Sequence, residues 1–206
     1  VCSSDLIKFF PPKLLEEIEK KTIYRLISGL SSLFNTHVIS IHEVIYNTDG
    51  VFISMEWCDG LSIKNTLDRF QTLPEKLVGR YTVEILRGLQ FLHSQGQTHR
   101  NLKATNLLLA SGVLKLTDFG LSAELASIKI ASNPYWSPPE VIENRTFSSA
   151  SDIWSLGATI VELLTGKPPY GELSPEEARM KILTDEAIPI PPKASAHLKD
   201  FLMACF

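Results

Sequence analysis

The 206-residue sequence carries a formal net charge of −3 and is 44% hydrophobic, which excludes a mostly disordered chain and is sufficient for a sizeable core. Because the charge is nearly balanced and no basic block occurs, neither nucleic acid nor an anionic membrane surface is expected as a partner. No apolar run approaches the roughly 20 residues that span a bilayer, and the three cysteines lie too far apart in sequence to form a disulfide framework or a metal-ligand cluster. We therefore expect a cytoplasmic protein.

The N-terminal part of the chain combines one helical pattern with two strand patterns. Apolar residues recur at three- and four-residue steps through residues 14–33, which predicts a helix. Residues 38–46 and 51–57 have the composition of strands, and the turn residues between them predict a β-hairpin. We interpret residues 1–6 as the translation of a sequencing adapter and exclude them from the fold; a native strand start is the alternative.

Helical patterns dominate after residue 58. An apolar stripe over residues 78–92 predicts a long helix that begins near Glu75. Within this part, two short strands are predicted at residues 106–109 and 113–117, separated by a short turn. The hydrophobic pattern thus predicts a mainly helical part that contains one small hairpin.

The last third of the sequence predicts further helices. Residues 153–164 are apolar nearly all round, which is typical of a helix enclosed by others. Ser174 and Glu177 form a capping box with Pro175 at the first helical position, a strong start signal. A last helix is predicted from about Ala196. A small strand-containing part therefore precedes a mainly helical part, with no long linker between them.

Three short motifs occur in a fixed order in the helical part. They are His99-Arg100-Asn101-Leu102-Lys103-Ala104-Thr105-Asn106, Asp118-Phe119-Gly120 and Pro138-Pro139-Glu140. This set resembles the catalytic loop, the metal-binding motif and the anchor motif of the protein kinase family. Lys103 is typical of its Ser/Thr-specific members, and residues 133–140 resemble its sterile and septation-control branch. A chance match in another α-rich domain is the alternative.

The resemblance covers residues 7–206 and implies an α+β, two-lobed protein-kinase-like fold. Residues 7–58 are then a residual N-lobe and hinge that lack the first two strands of the family. Residues 59–206 are a mainly helical C-lobe that stops before its last helices. We therefore interpret the sequence as a partial protein kinase domain.

The resemblance also implies a site for ATP and Mg²⁺. Asn106 and Asp118 are the expected metal ligands, because amide and carboxylate oxygens suit Mg²⁺; a turn cap is the alternative role for Asp118. Lys103 is expected beside the transferred phosphate, with a solvated surface lysine as the alternative. Lys8 stands where the family has the strand lysine that binds the α- and β-phosphates.

The adenine end of the expected site lies at the boundary between the two parts. The resemblance implies that the adenine edge bonds to backbone groups of Glu56 and Cys58. Met55 is the expected gatekeeper and Leu108 the apolar floor of the pocket, and Thr117 is counted among the ATP-binding residues. Ordinary core packing is the alternative for the hinge residues and the floor.

The resemblance assigns structural or regulatory roles to His99, Arg100, Phe119, Gly120, Glu140 and Asp152. His99 and Phe119 are expected to stack in a spine with Leu30 and Ile41. The expected role of Asp152 is to hold the backbone of the catalytic loop. Arg100 is the expected partner of a phosphate on one of three serines, with unmodified surface serines as the alternative. These serines are Ser122, Ser127 and Ser132.

Four features depart from the family pattern. Asn101 stands where an aspartate accepts the proton of the substrate hydroxyl, and an amide has no basic lone pair for this task near pH 7. Leu26 stands where a glutamate pairs with the strand lysine, and no acid occurs in residues 22–33. No Gly-rich phosphate-covering loop precedes Lys8. Asn133 replaces a threonine that contacts the base.

Two functional hypotheses follow. The first is ATP-dependent phosphoryl transfer to protein Ser or Thr hydroxyls, strongly impaired because loss of a general base costs about 10²–10⁴ in rate. The second is a pseudokinase, which is a nucleotide-binding or protein-interaction module without turnover. In both, the expected partner is a protein substrate or a regulatory protein. A third alternative is that this piece of chain does not fold stably alone.

Overall fold

The computed structural model describes residues 6–10, 34–47, 49–119 and 133–206. Their strands are β1 (Leu6–Phe10), β2 (Ile41–Asn47), β3 (Gly50–Met55), β4 (Leu107–Ala110) and β5 (Val113–Leu116). Their α-helices are α1 (Ile63–Phe70), α2 (Glu75–Ser94), α3 (Pro139–Asn144), α4 (Ser149–Thr165), α5 (Pro175–Thr184) and α6 (Ala196–Cys205). None of the helices in these ranges is long and apolar enough to cross a bilayer. The helix predicted at residues 14–33, with Leu26 and Leu30, lies outside the described residues, as do Gly120 and the three candidate serines.

The three N-terminal strands form an antiparallel sheet in the order β1-β3-β2. The predicted hairpin between β2 and β3 is confirmed. Its first strand begins at Ile41 rather than at residue 38, because the preceding residues pair with β5 instead. The Ile39 N–H donates to the Leu116 carbonyl at 2.9 Å. β1 begins at Leu6, the last of the six residues interpreted as adapter-derived.

A second, two-stranded sheet joins the small sheet to the helices. β4 and β5 pair antiparallel with Leu107 opposite Leu116, which confirms the predicted short strands. Leu116 also exchanges hydrogen bonds with the segment before β2. Its N–H donates to the His37 carbonyl at 2.8 Å, and its carbonyl accepts from Ile39. This hairpin therefore connects the two parts of the fold.

The helical part is built around α2 and α4, and its helix ends follow local signals. α4 ends at Thr165 and is capped by Gly166, whose φ of +86° favours glycine. A Cβ at this position would lie 2.5 Å from the Gln71 carbonyl oxygen. The predicted capping box of Ser174 and Glu177 is confirmed as the start of α5, and α6 begins at Ala196 as predicted.

One continuous hydrophobic core runs from the small sheet through the β4–β5 hairpin into the helices. α2 lies close to β5 at Gly88. A Cβ there would lie 2.7 Å from the Leu116 side chain and 2.9 Å from the His37 carbonyl oxygen. Since interiors are close-packed, only glycine fits without displacing these groups. α2, the longest helix in the described part of the chain, thus supports the junction at which the candidate site lies.

Candidate active site

Asp152 of α4 holds the backbone of the predicted catalytic loop. The residue is fully buried, and its carboxylate oxygens accept hydrogen bonds from the His99 and Arg100 N–H groups at 2.8 Å each. Nε2 of His93 lies 2.8 Å from the same carboxylate. Arg100 has a φ of +68°, so the chain turns sharply at this point. Asp152 therefore fixes the conformation of the loop around residue 100.

Three further polar residues of α4 lie on the same side of the helix as Asp152 and form a polar stripe with it. They follow at steps of three and four residues, so they share one side of the helix: Ser155, Thr159 and Glu162. The Ser155 hydroxyl donates to the Trp136 carbonyl at 2.7 Å. The Thr159 hydroxyl donates to the Leu102 carbonyl at 3.3 Å. The stripe thus anchors both the catalytic loop and the segment that contains Trp136.

Glu162 ties these two segments together through one oxygen atom. Its Oε2 accepts hydrogen bonds from the Ala104 N–H and from the Trp136 indole N–H, both at 3.0 Å. Glu162 is only 2% exposed, and burial raises the pKa of its carboxyl above the usual range. Of this polar stripe only Asp152 was predicted, because the apolar residues around Ser155, Thr159 and Glu162 indicated an apolar helix. The regular spacing of the four polar residues is the signal that identifies it.

Asn106 and Asp118, the predicted metal ligands, lie at the open end of the β4–β5 hairpin. The Thr117 N–H donates to the Asn106 carbonyl at 3.0 Å, which holds the two chain segments side by side. The side-chain amino group of Asn106 donates to the Asn101 carbonyl at 2.6 Å, so Oδ1 is its side-chain acceptor. One neutral and one charged oxygen donor are therefore brought together, a set that suits Mg²⁺.

Lys8 of β1 reaches the same place from the small sheet. Its Nζ forms an ion pair with Oδ1 of Asp118, and the two side chains are 30% and 22% exposed. Asp118 has a φ of +65°, a left-handed conformation that aspartate and asparagine adopt more readily than most residues. The lysine expected at the phosphates and the carboxylate expected at the metal ion thus meet between the two parts of the fold.

Asn101 and Lys103 lie in the loop that Asp152 holds. The carbonyl of Asn101 accepts the bond from Asn106, so the loop is closed onto the metal-ligand segment. Nζ of Lys103 lies 5.5 Å from the centre of the Trp136 ring, within cation–π distance. Asn133, the second departed position, directly precedes the 3₁₀ turn Pro134–Trp136.

His99 and Phe119 are buried beside this loop, at 0% and 2% exposure, and Ile41 lies in the same core as Phe119. Nδ1 of His99 accepts from the Asn101 N–H at 3.3 Å. Its Nε2 is buried without a hydrogen-bond partner in the described part of the chain. Burial lowers the pKa of His99, and the negative charge of Asp152 opposes this shift in part. Burial thus disfavours the charged form of this imidazole ring.

The segment after β3 forms the junction predicted as the hinge. β3 ends at Met55 rather than at residue 57, because its pairing with both neighbouring strands stops at Met55. Leu6 and Ile41, the first residues of β1 and β2, both pair with Met55. Met55 itself is 3% exposed. After Met55, one backbone bond remains to the segment before β2, from the Glu56 N–H to the Ser40 carbonyl at 2.8 Å.

Cys58, Leu108 and Thr117, the other residues predicted at the adenine end, belong to this junction and to the adjoining hairpin. Cys58 and Thr117 are buried and Leu108 is half-buried. Burial raises the pKa of the Cys58 thiol. The Gly60 N–H donates to the Leu109 carbonyl at 3.0 Å, which links the end of the hinge to β4.

Glu140 and Arg100, the remaining predicted structural residues, both have local contacts. The Ser151 hydroxyl donates to Oε1 of Glu140 at 3.0 Å, which joins α3 to the start of α4. The Arg100 guanidinium lies 5.5 Å from the centre of the Phe147 ring, and its Nε donates to the Thr98 hydroxyl at 2.7 Å. These three contacts stabilise the surroundings of the predicted catalytic loop.

Replacement of Asp152 by asparagine is expected to destabilise the domain. The amide keeps one acceptor oxygen, so an N–H group of His99 or Arg100 loses its buried partner, at about 1–3 kcal/mol for each unpaired group. Urea unfolding measures the change in the free energy of unfolding. Asp200→Asn, at an exposed position of α6, is the matched control and should change it by less than about 0.5 kcal/mol. Equal stability of Asp152→Asn and the control would contradict the anchoring role.

The sequence of this chain matches a known protein family over nearly its whole length. The family model for the protein kinase domain matches residues 6–206. The cytokinesis protein sepH of Aspergillus niger is 39% identical over 196 residues, covering 93% of this chain. Cell division control protein 7 of Schizosaccharomyces pombe is 38% identical over 184 residues, covering 87% of the chain. A probable serine/threonine-protein kinase of Dictyostelium discoideum is 35% identical over 206 residues, covering 97%.

These relatives are much longer proteins. The chain spans 15% of the length of the Aspergillus niger protein, 17% of the Schizosaccharomyces pombe protein and 32% of the Dictyostelium discoideum protein. The similarity therefore concerns one domain, and the match of the family model over nearly the whole chain identifies that domain. This chain belongs to the protein kinase domain family, in its eukaryotic Ser/Thr branch, and has the two-lobed α+β fold of that family.

Proposed function

We propose that this domain binds Mg²⁺-ATP and transfers the γ-phosphoryl group to protein Ser or Thr hydroxyls only slowly. The observation that carries the proposal is the meeting of Lys8, Asn106 and Asp118 at the open end of the β4–β5 hairpin. These groups adjoin a catalytic loop whose base position holds Asn101. The family generally uses ATP and Mg²⁺, and the side chains present here fit both.

Each of these residues has a defined task in the proposed site. Asn106 and Asp118 hold the metal ion through one amide and one carboxylate oxygen, and Lys8 provides positive charge for phosphate oxygens. Bound Mg²⁺ would neutralise negative charge on the phosphates during transfer. The contact of Lys103 with the Trp136 ring restrains a second cation in the loop, where it can stabilise the transferred group.

Asn101 limits the rate of the proposed reaction. Its amide oxygen can accept a hydrogen bond from the substrate hydroxyl and orient it, but it takes up no proton near pH 7. The loss of a general base costs about 10²–10⁴ in rate, which is about 3–5 kcal/mol of barrier. Because phosphoryl transfer depends mainly on positioning and electrostatic stabilisation, a residual rate is expected.

Thermal unfolding with and without nucleotide tests the proposal. A ligand at 100 times its Kd stabilises a protein by about 2.7 kcal/mol, which raises the Tm of a domain of this size by about 5–10 °C. We expect this rise with ATP and Mg²⁺, and a smaller one with ATP and EDTA. An unchanged Tm at millimolar Mg²⁺-ATP contradicts nucleotide binding. Fast phosphorylation of a protein substrate by the unsubstituted chain contradicts the impairment.

A second candidate is a module that binds nucleotide or a partner protein without turnover. It is favoured by two amides at positions that contact each other in the family, Asn101 and Asn133, and by the absence of an acid in residues 22–33. Two relatives are named for cytokinesis and cell division control, so a regulatory protein is the proposed partner in this case. A rise in Tm with Mg²⁺-ATP and no turnover, even after Asn101→Asp, would select this candidate.

A further inference from the structure

A side-chain ion pair holds the hinge against the β4–β5 hairpin. Oε1 of Glu56 lies 2.9 Å from Nζ of Lys115, and Oε2 accepts a hydrogen bond from the Ser40 N–H at 3.2 Å. The Glu56 N–H in turn donates to the Ser40 carbonyl at 2.8 Å. The first residue of the hinge is thus held through its backbone and through both carboxylate oxygens.

This pair is well shielded from water compared with a surface ion pair of the same chain. The side chains of Lys115 and Glu56 are 12% and 28% exposed, whereas those of Lys167 and Glu172 are 56% and 75% exposed. Salt screens a shielded pair less than an exposed one, and removal of one partner leaves the other charge partly buried. The contact between Glu56 and Lys115 is therefore a firm geometric constraint.

Lys115 lies next to the expected floor of the adenine pocket. Leu108 and Lys115 are direct cross-strand partners in the β4–β5 hairpin, so their side chains share one face of it. Glu56 lies two residues before Cys58, and both charges of the pair act on the Cys58 thiol. One ion pair therefore connects the two surfaces between which adenine is expected.

We infer that the Glu56–Lys115 pair sets the spacing between the hinge and Leu108 and thereby positions the adenine of a bound nucleotide. The inference rests on the proposed Mg²⁺-ATP site. Hydrogen bonds to the hinge backbone require donor–acceptor distances of about 2.7–3.2 Å, so a small displacement of the hinge weakens them. Glu56 and Lys115 are positioning residues: nucleotide affinity depends on them, and the transfer step does not.

Isothermal titration of Lys115→Met with Mg²⁺-ATP tests the inference. We expect the Kd to rise about tenfold relative to the unsubstituted chain, a change of about 1.4 kcal/mol in binding. Lys115→Arg keeps a cation at the same place and should restore the Kd to within about twofold. In the Asn101→Asp background, the KM for ATP should rise by the same factor while kcat stays unchanged, which a general loss of structure would not produce.

Two controls separate positioning from a general loss of charge or stability. Lys167→Met removes the exposed pair with Glu172 and should leave the Kd unchanged. The double variant Glu56→Gln/Lys115→Met should bind no more weakly than either single variant, because the effects of residues that act as one unit are not additive.

Circular dichroism below the Tm of every variant confirms that each remains folded. If Lys115→Met does not fold, Glu56→Gln carries the same test with a smaller change.

Different results would contradict the inference and the proposed function. A Kd of Lys115→Met within about twofold of the original, or additive losses in the double variant, overturns the inference. An equal fall in kcat with KM unchanged overturns it as well, because the pair would then act on the transfer step. If the unsubstituted chain binds no Mg²⁺-ATP, the proposed function itself fails, and the inference fails with it.

Discussion

Replacement of Asn101 by aspartate is expected to raise the rate of phosphoryl transfer by about 10²–10⁴-fold, the usual contribution of a general base. Aspartate and asparagine have nearly the same shape, and the backbone of residue 101 is held by bonds to His99 and Asn106. The new carboxylate should therefore take the place of the amide and accept the proton of the substrate hydroxyl. The measurement is the initial rate of label transfer from ATP to a generic basic protein.

Asn144→Asp is the matched control for this gain. Asn144 is exposed at the end of α3, so the substitution adds the same charge away from the site. We expect its transfer rate to equal that of the unsubstituted chain. No gain from Asn101→Asp would mean that another departure, such as Leu26 in place of an acid, limits the reaction.

Replacement of Asp118 by asparagine is expected to remove most of that gain. A bound metal ion contributes several kcal/mol to transition-state stabilisation, and a loss of about 3 kcal/mol is about 100-fold in rate. Asparagine tolerates the φ of +65° at this position, so the substitution does not strain the backbone. It removes the charge of the proposed metal ligand, which is also the partner of Lys8. The measurement is the transfer rate of Asn101→Asp/Asp118→Asn relative to Asn101→Asp.

The Mg²⁺ dependence of nucleotide binding provides a second readout for Asp118. The difference in Tm between ATP with Mg²⁺ and ATP with EDTA should largely disappear in Asp118→Asn, because one of the two proposed metal ligands has lost its charge. Asp200→Asn, the exposed control on α6, should retain this difference in full. A Tm difference that persists in Asp118→Asn would remove Asp118 from the metal site.

Local sequence patterns predicted most of the described elements correctly. The β2–β3 hairpin, the long helix α2 and the capped start of α5 all follow from signals within a few residues: turn composition, apolar periodicity and a capping box. The element ends were less accurate. Residues 38 and 39 lie outside β2 because Leu116 of β5, far along the chain, bonds to this segment instead: it accepts from the Ile39 N–H and donates to the His37 carbonyl.

The polar contacts of the site were harder to predict than its elements. The family resemblance predicted that Asp152 holds the loop backbone. Residues 153–164 carry enough apolar side chains to indicate an enclosed helix, yet Glu162, within that range, bonds to the Ala104 N–H, which lies more than fifty residues earlier. Likewise, neither Glu56 nor Lys115 carries a local signal for the ion pair that they form. Their partners come from separate elements, so spacing within one element does not reveal them.

The sequence alone determined the chemistry available at each motif position: an amide at residue 101, the side-chain oxygen atoms that Asn106 and Asp118 can offer a metal ion, and the order of motifs that characterises the family. Only the tertiary structure decided which distant groups meet, such as Lys8 with Asp118 and Glu162 with Trp136. The reason is physical. Conformation within an element follows from interactions between near neighbours in the chain, whereas the pairing of distant side chains depends on how the whole core packs.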